Sequence, residues 1–312
     1  MAQKKGRAMS EMKGMTGSAA AMGPVPVRRA VGRSDGQTVR PSGGGMAAVP
    51  YPATTRSAVK FGNVQAANGH RIVLYGPGGI GKTTLAAWLP GPVAFIDLDE
   101  SLPRLRLQLE SVGLLENILP VEGVMDWQTL RSVLQADGWE GVKTIVIDTA
   151  TKAEEMAVAH TLANTVVDGK RVSSIEGYGF GKGYGFVFDT LLPLLGDLDR
   201  HSRDGRNVVL ICHDCTATVP NPAGEDWLRY EPRLQSPNSG KASIRLRVRE
   251  WADHVLFLGY DVDVSKDGKG RGAGTRTLYT SELPHCMAKS RSTQEVIPLG
   301  QDGRTVWAAV IR

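Results

Sequence analysis

Cysteine is scarce. The 312 residues carry three, Cys212, Cys215 and Cys286, too few for the disulfide framework of a small secreted scaffold, so a reducing compartment is expected. Long hydrophobic runs are also missing. The longest uninterrupted apolar stretch, residues 306–311, is six long, against the roughly 18 that a membrane helix requires. No membrane partner is expected, and the basic N-terminus has no apolar segment behind it to read as a secretory signal. Acidic residues are nearly absent from the first sixty positions, which hold ten Lys/Arg but only Glu11 and Asp35. The net +5 of the chain therefore resides in this segment, and residues 61–312 are net −3.

Residues 1–60 are rich in Gly, Ala, Ser, Pro and Met and show no sustained periodicity. Such a segment buries too little apolar surface to offset its chain entropy, so it reads as a disordered basic tail. It would serve as a solubilising extension, a phosphate-binding arm, or an upstream extension ahead of a start at Met46. A transit peptide is disfavoured by the many Gly and Pro. What remains is one α/β domain over 61–312, with 41% hydrophobic and 22% charged residues in the whole chain, an ordinary globular balance.

From residue 70 short apolar runs alternate with helical segments. Strands are expected at 71–75, 93–97, 144–147 and 207–212, and helices at 82–89, 103–109, 127–136, 150–166 and 184–201, the last interrupted by Pro193. Residues 167–183 read as a Gly-rich loop and 214–240 as a long polar loop. Strands are expected again at 254–264, 275–280 and 305–311, with 265–274 as an exposed hairpin connection. This alternation predicts a mainly parallel central sheet flanked by helices.

The sharpest motif is Gly76-Pro77-Gly78-Gly79-Ile80-Gly81-Lys82-Thr83, followed by Thr84. It matches G-x-x-x-x-G-K-[ST] between a strand and a helix, the phosphate-binding loop. Successive backbone amides and the helix start form an anion nest, and glycines let the backbone approach the phosphates. Lys82 would reach the β- and γ-phosphates of ATP, and the Thr83 hydroxyl would coordinate Mg²⁺. The strand ending in Asp148 supplies the second carboxylate for that ion. Asp97, Asp99 and Glu100 follow the second strand, where ligands bind in open α/β sheets. They are candidates to orient the attacking water, or alternatively caps for the next helix. Cys212, Cys215, His285 and Cys286 would make a zinc site only if two distant segments met; reduced thiols are the simpler reading.

Beyond the phosphate loop the order of motifs resembles RecA-type recombinases. In those proteins a catalytic glutamate follows the second strand in a stretch similar to Ala94-Phe95-Ile96-Asp97-Leu98-Asp99. Asp99 takes that position here, with Glu100 beside it, so either is a candidate base. Residues 207–213 resemble the strand ending in the RecA-type sensor glutamine, with His213 at that position. Ala288-Lys289-Ser290-Arg291 resembles the late Lys-x-Lys element that reaches a neighbouring subunit's γ-phosphate. With the glycine-rich loop 177–185, this set most resembles the phage RecA-like ATP-binding proteins, core-only single-strand annealing ATPases of the Sak type, over residues 68–312.

The resemblance implies a RecA-like P-loop NTPase core, Mg²⁺-dependent ATP hydrolysis, and assembly with ATP at subunit interfaces. It implies single-stranded DNA as partner, a single-stranded-DNA-binding protein as a further candidate partner, and a host cytoplasmic location. DNA would meet Lys170, Arg171, Tyr178, Lys182 and Tyr184, cations pairing phosphates and rings stacking on bases. Phe180 is interleaved with these rings, and the alternative for Tyr178, Phe180 and Tyr184 is packing onto the core. Arg229, Arg233 and Lys241 in the second loop are weaker phosphate candidates. The competing functions are an ATP switch acting on a protein partner and a helicase-loader or motor ATPase.

Overall fold

The computed structural model describes residues 59, 61–63, 69–238, 241–264 and 270–311. The expectations for the tail, residue 59 apart, and for 265–269 of the hairpin connection lie outside the described residues, whereas 270–274 belong to a strand that starts earlier than expected.

Among the described residues, ten strands and seven α-helices follow in chain order: β1 (Arg71–Tyr75), α1 (Lys82–Ala87), β2 (Val93–Asp97), α2 (Ser101–Ser111), β3 (Ile118–Pro120), α3 (Trp127–Gln135), β4 (Thr144–Asp148) and α4 (Ala150–Asn164). Then come α5 (Lys182–Arg203), β5 (Asn207–Cys212), β6 (Asp214–Val219), β7 (Trp227–Pro232), α6 (Ile244–Trp251), β8 (His254–Val264), β9 (Gly270–Tyr279), β10 (Val296–Pro298) and α7 (Gly303–Val310). Eight strands form one sheet in the order β10-β9-β8-β1-β5-β4-β2-β3. The run from β8 to β3 is parallel, and β9 and β10 extend it antiparallel.

Strand residues alternate between faces, so the sheet feeds two cores. Val73, Ile96, Ile147, Leu210 and Val255 face the helices α3 to α6. Ile72, Leu74, Phe95, Val209 and Leu256 face α1, α2 and α7. Burial on both faces explains why these strands read as continuous apolar runs. Among the described residues no helix is long and apolar enough to cross a membrane.

Two expectations need correction, and three elements were not anticipated. The stretch 305–311 is not a strand but belongs to α7. The Asp302 carboxylate accepts from Arg304 N and caps it, while Val306, Trp307 and Val310 are buried and the Trp307 indole donates to Leu85 O at 2.7 Å. A short apolar run does not by itself separate buried strand from buried helix. The segment 214–240 is not a featureless loop, because β6 and β7 pair as an antiparallel hairpin from Asp214↔Pro232 to Val219↔Trp227. Its faces are largely solvated, which left a faint hydrophobic signal. The helix α6, capped by Ser243, and the short strands β3 and β10 were not expected at all.

Candidate nucleotide site

β1 delivers the phosphate loop at its C-terminal end, beside the end of β5 and beside Phe257 in the first half of β8. A Cβ on Gly76 would stand 2.2 Å from Leu258 O, so only glycine lets the loop leave the sheet here. Gly79 and Gly81 take φ of +73° and +103°, which glycine adopts without steric cost. Cβ atoms on Gly78 and Gly79 would meet nothing within 4 Å, so this side of the loop opens onto a cavity of about 310 Å³. Ile80 is fully buried and anchors the loop from below. The loop, Thr84 and His213 line the cavity, together with Asp148 and Thr149.

Lys82 is 7% exposed, and its ammonium donates to Gly76 O at 2.8 Å and Pro77 O at 2.9 Å. Burial lowers its pKa, and the Asp148 charge opposes that shift. Thr83 Oγ1 donates to Asp148 Oδ2 at 2.6 Å. Asp148 is 2% exposed, and its carboxyl has no ion pair within 4 Å among the described residues. Burial pushes its pKa up to about 6; the Thr83 bond opposes this, and Asp97 and Asp99 add to it. A hydroxyl and a buried, under-compensated carboxylate side by side are hard oxygen donors, the set a Mg²⁺ ion takes. The residues present thus fit a magnesium–nucleotide, with Lys82 and the loop amides toward the phosphates and Thr83 and Asp148 toward the ion. Such an ion would neutralise phosphate charge.

The acidic stretch after β2 resolves into three roles. Asp97 Oδ1 and Oδ2 accept from Ser101 N at 2.9 Å and Leu102 N at 2.8 Å, capping α2. Glu100 is exposed at φ +53°, and neither it nor Asp99 is among the residues that line the cavity. Asp99 is held at the end of β4: Leu98 N and Asp99 N both donate to Asp148 O, and Thr149 Oγ1 donates to Asp99 Oδ2 at 3.0 Å. His213 Nε2 lies 3.4 Å from the same oxygen, and Thr151 Oγ1 accepts from His213 N at 3.2 Å. The expected partners Lys82, Thr83, Asp148, Asp99 and His213 therefore converge, and Glu100 stays apart.

Two arginines that the sequence reading passed over also line the cavity. Arg276 of β9 donates from Nη1 to Ile80 O at 2.6 Å and lies over Gly81. Arg104 of α2 donates to Glu100 O at 2.8 Å. A second cavity of about 340 Å³ shares Gly81, Thr84, Gln108 and Arg276 with the first and continues to Leu299–Gln301.

The late basic pair separates. Lys289 Nζ donates to Arg249 O at 2.9 Å, Glu250 O at 3.4 Å and Ala252 O at 2.7 Å, closing the C-terminus of α6. It is engaged in this fold rather than free to reach a neighbour. Arg291 is exposed, with Nε 3.3 Å from Asp253 Oδ1. Asp253 adjoins the start of β1, the sheet end opposite the phosphate loop, so Arg291 cannot serve its own site.

The candidate DNA loop is corrected at Tyr178. That ring is 6% exposed, its hydroxyl donates to Thr161 O and Thr165 O at 3.3 and 3.0 Å, and it packs edge-on against Phe186. Its neighbour Phe180 is fully exposed instead, at φ +49° between Gly179 and Gly181. Lys170, Arg171 and Lys182 are exposed, and Tyr184 is half-buried with its hydroxyl donating to Glu176 Oε1 at 3.2 Å. In the second loop Arg229 is buried between Glu231 and Glu282, which removes it as a phosphate contact, while Arg233 and Lys241 are exposed. The cysteines are free thiols, and no metal-type cluster of His, Cys, Asp and Glu occurs among the described residues.

A family model described as AAA domain, AAA_24, matches residues 68–292. The chain belongs to that family. It is a P-loop ATPase. This AAA domain is also similar to the crystal structure of the RadB recombinase, at 17% identity, covering 68% of this chain and 80% of that one, with a TM-score of 0.39. It is similar to a KaiC-like protein, PH0186 from Pyrococcus horikoshii OT3, at 16% identity, covering 76% and 88%, with a TM-score of 0.42. No curated protein matched the sequence.

Proposed function

We propose that the protein is a Mg²⁺-dependent ATPase that binds single-stranded DNA and promotes its annealing or strand exchange, as the resemblance to phage recombination ATPases implies. The observation that carries the reading is the position of His213. It stands beside Asp99 at the nucleotide cavity and is also the first residue of the connection into the β6–β7 hairpin, whose return strand binds back through Arg233 N to His213 O at 2.9 Å. Thr151 Oγ1 ties the same junction together, donating to Arg233 O. A change in charge at the γ-phosphate position would thus reach the hairpin through one side chain.

In this reading Lys82 and the loop amides hold the phosphates, and Thr83 and Asp148 hold the ion. Asp99 orients the attacking water, because its carboxylate is held by Thr149 and His213 of the cavity wall. Arg276 sits where phosphate space meets the second cavity, which offers room for the base and sugar. Arg291 completes a neighbouring subunit's site in trans, which accounts for a cation at the wrong end of its own sheet. Lys170, Arg171 and Lys182 take DNA phosphates, and Phe180 replaces Tyr178 as the stacking ring. An exposed aromatic on a left-handed backbone has no packing reason to be there.

The test is ATP hydrolysis with and without single-stranded DNA, in the wild type, Lys82→Ala and a Phe180→Ala/Lys182→Ala double variant. DNA should stimulate wild-type hydrolysis, Lys82→Ala should abolish it, and the double variant should keep only the unstimulated rate. Hydrolysis indifferent to DNA would favour an ATP switch acting on a protein partner.

A further inference from the structure

A further cavity near the loops is distinct from the nucleotide site. It has a volume of about 790 Å³ and lies between α4, the segment 173–176, the first turn of α5 and residues 235–238. Its walls include Ser174, Glu176, Tyr184, Gln235 and Asn238, and Glu154 of α4 contributes a carboxyl. No lysine or arginine lines it. Exposed cations stand next to its walls in sequence instead: Arg171 before Ser173, Lys182 before Tyr184, Arg233 before Gln235, and Lys241 after Asn238.

We propose that this cavity takes an unpaired nucleobase of a single-stranded nucleic acid, with Tyr184 against its face and Glu154 and Asn238 toward its polar edge. The inference deepens the DNA-binding reading and rests on it. Three observations support it. The first is the lining: Val158, Leu162, Ile175 and Pro237 supply apolar surface, the polar groups stand among them, and no cation enters. That mixture suits a planar base rather than a phosphate, the part of a single strand that proteins stack and read at its edge.

The second is Glu154. Its Oε1 accepts from Gln235 N at 2.7 Å, and its carboxyl has no ion pair within 4 Å among the described residues. A largely buried carboxyl without a cation is costly unless something donates to it. Burial raises its pKa to about 7, with the Gln235 amide and Arg245 opposing the shift and Glu155 adding to it. The group therefore offers a donor and an acceptor together near neutral pH, matching the paired donor and acceptor on a base edge.

The third is the framework. Gln235 Nε2 donates to Tyr184 O and Ala242 O, both at 2.9 Å. Gln235 thereby joins both candidate DNA loops around the cavity, and Glu154 fixes it to the helix that follows the Asp148 strand. A base seated here would touch both loops and α4 at once.

The experiment compares a fluorescent single strand with the same strand carrying abasic sites, by anisotropy at one fixed salt concentration. Wild type should bind the intact strand at least about tenfold more tightly, within the range of a seated base. Glu154→Ala should cut that ratio severalfold while leaving affinity for the abasic strand unchanged. Glu154→Gln should restore it, because an amide keeps a donor and an acceptor. Tyr184→Leu should lower the ratio independently and keeps the test decisive if Glu154→Ala fails to fold. Equal binding of the two strands, or an undiminished ratio in the variants, overturns the base site and leaves DNA binding standing. No binding of either strand overturns both.

Discussion

Replacing Asp148 by Asn should stabilise the nucleotide-free protein while destroying its catalysis. The carboxyl pKa lies at about 6, against an ordinary 3.8. At 1.36 kcal/mol per unit this difference amounts to about 3 kcal/mol. The folded state holds the proton more tightly than the unfolded chain. The stabilisation is therefore full below pH 3.8 and is lost as pH rises through about 6. At pH 7.5 the wild type carries the whole penalty of an ionised, buried carboxylate beside Asp97 and Asp99. Asn keeps an acceptor for the Thr83 hydroxyl without the charge. Asp148→Asn should then be more stable at pH 7.5 by up to about 3 kcal/mol, or about 6–12 °C in melting temperature for a domain of this size. The gap should narrow to about half at pH 5. Thermal melts in chelator at the two pH values read this directly, and Mg²⁺ with nucleotide should raise the melting temperature of the wild type alone. A variant less stable at pH 7.5, or an equal gap at both pH values, would refute the reasoning.

Other consequences follow from the same geometry. Tyr178→Phe should cost about 1 kcal/mol in urea denaturation, because it removes a hydroxyl bonded to two carbonyls, and should leave DNA affinity unchanged; Phe180→Ala should do the reverse. Lys289→Ala should destabilise the fold by about 1–2 kcal/mol by uncapping α6, whereas Arg291→Ala should fold normally and hydrolyse poorly. Mixing Arg291→Ala with Lys82→Ala subunits should recover part of the activity if Arg291 acts in trans, and an inactive mixture would exclude that role. Arg276→Ala should weaken nucleotide affinity severalfold in a titration with a fluorescent nucleotide.

Much of this architecture is legible in the residues because both faces of the parallel strands are buried. Arg71–Tyr75, Val93–Asp97 and Asn207–Cys212 coincide with the apolar runs that predict them, and the phosphate loop is encoded locally in eight consecutive residues. The misreadings are of another kind. The run 306–311 is apolar enough for strand or helix, and the Asp302 cap that decides between them is a single residue. Tyr178 and Phe180 are both loop aromatics in sequence, and only the distant carbonyls of Thr161 and Thr165 draw one of them inward. Arg276 reaches a carbonyl 196 positions away, a contact that no local pattern encodes. Lys289 matches a motif by spacing, yet it finds nearer acceptors at the end of α6.

The central claim is that backbone amides closed by Lys82 grip a magnesium polyphosphate. Isothermal calorimetry of the folded protein with Mg²⁺ and a non-hydrolysable ATP analogue measures it most directly. The account predicts saturable uptake of one nucleotide per chain, weakened at least about tenfold in Lys82→Ala. Folded wild-type protein that takes up no nucleotide, or a variant that binds equally well, would contradict it.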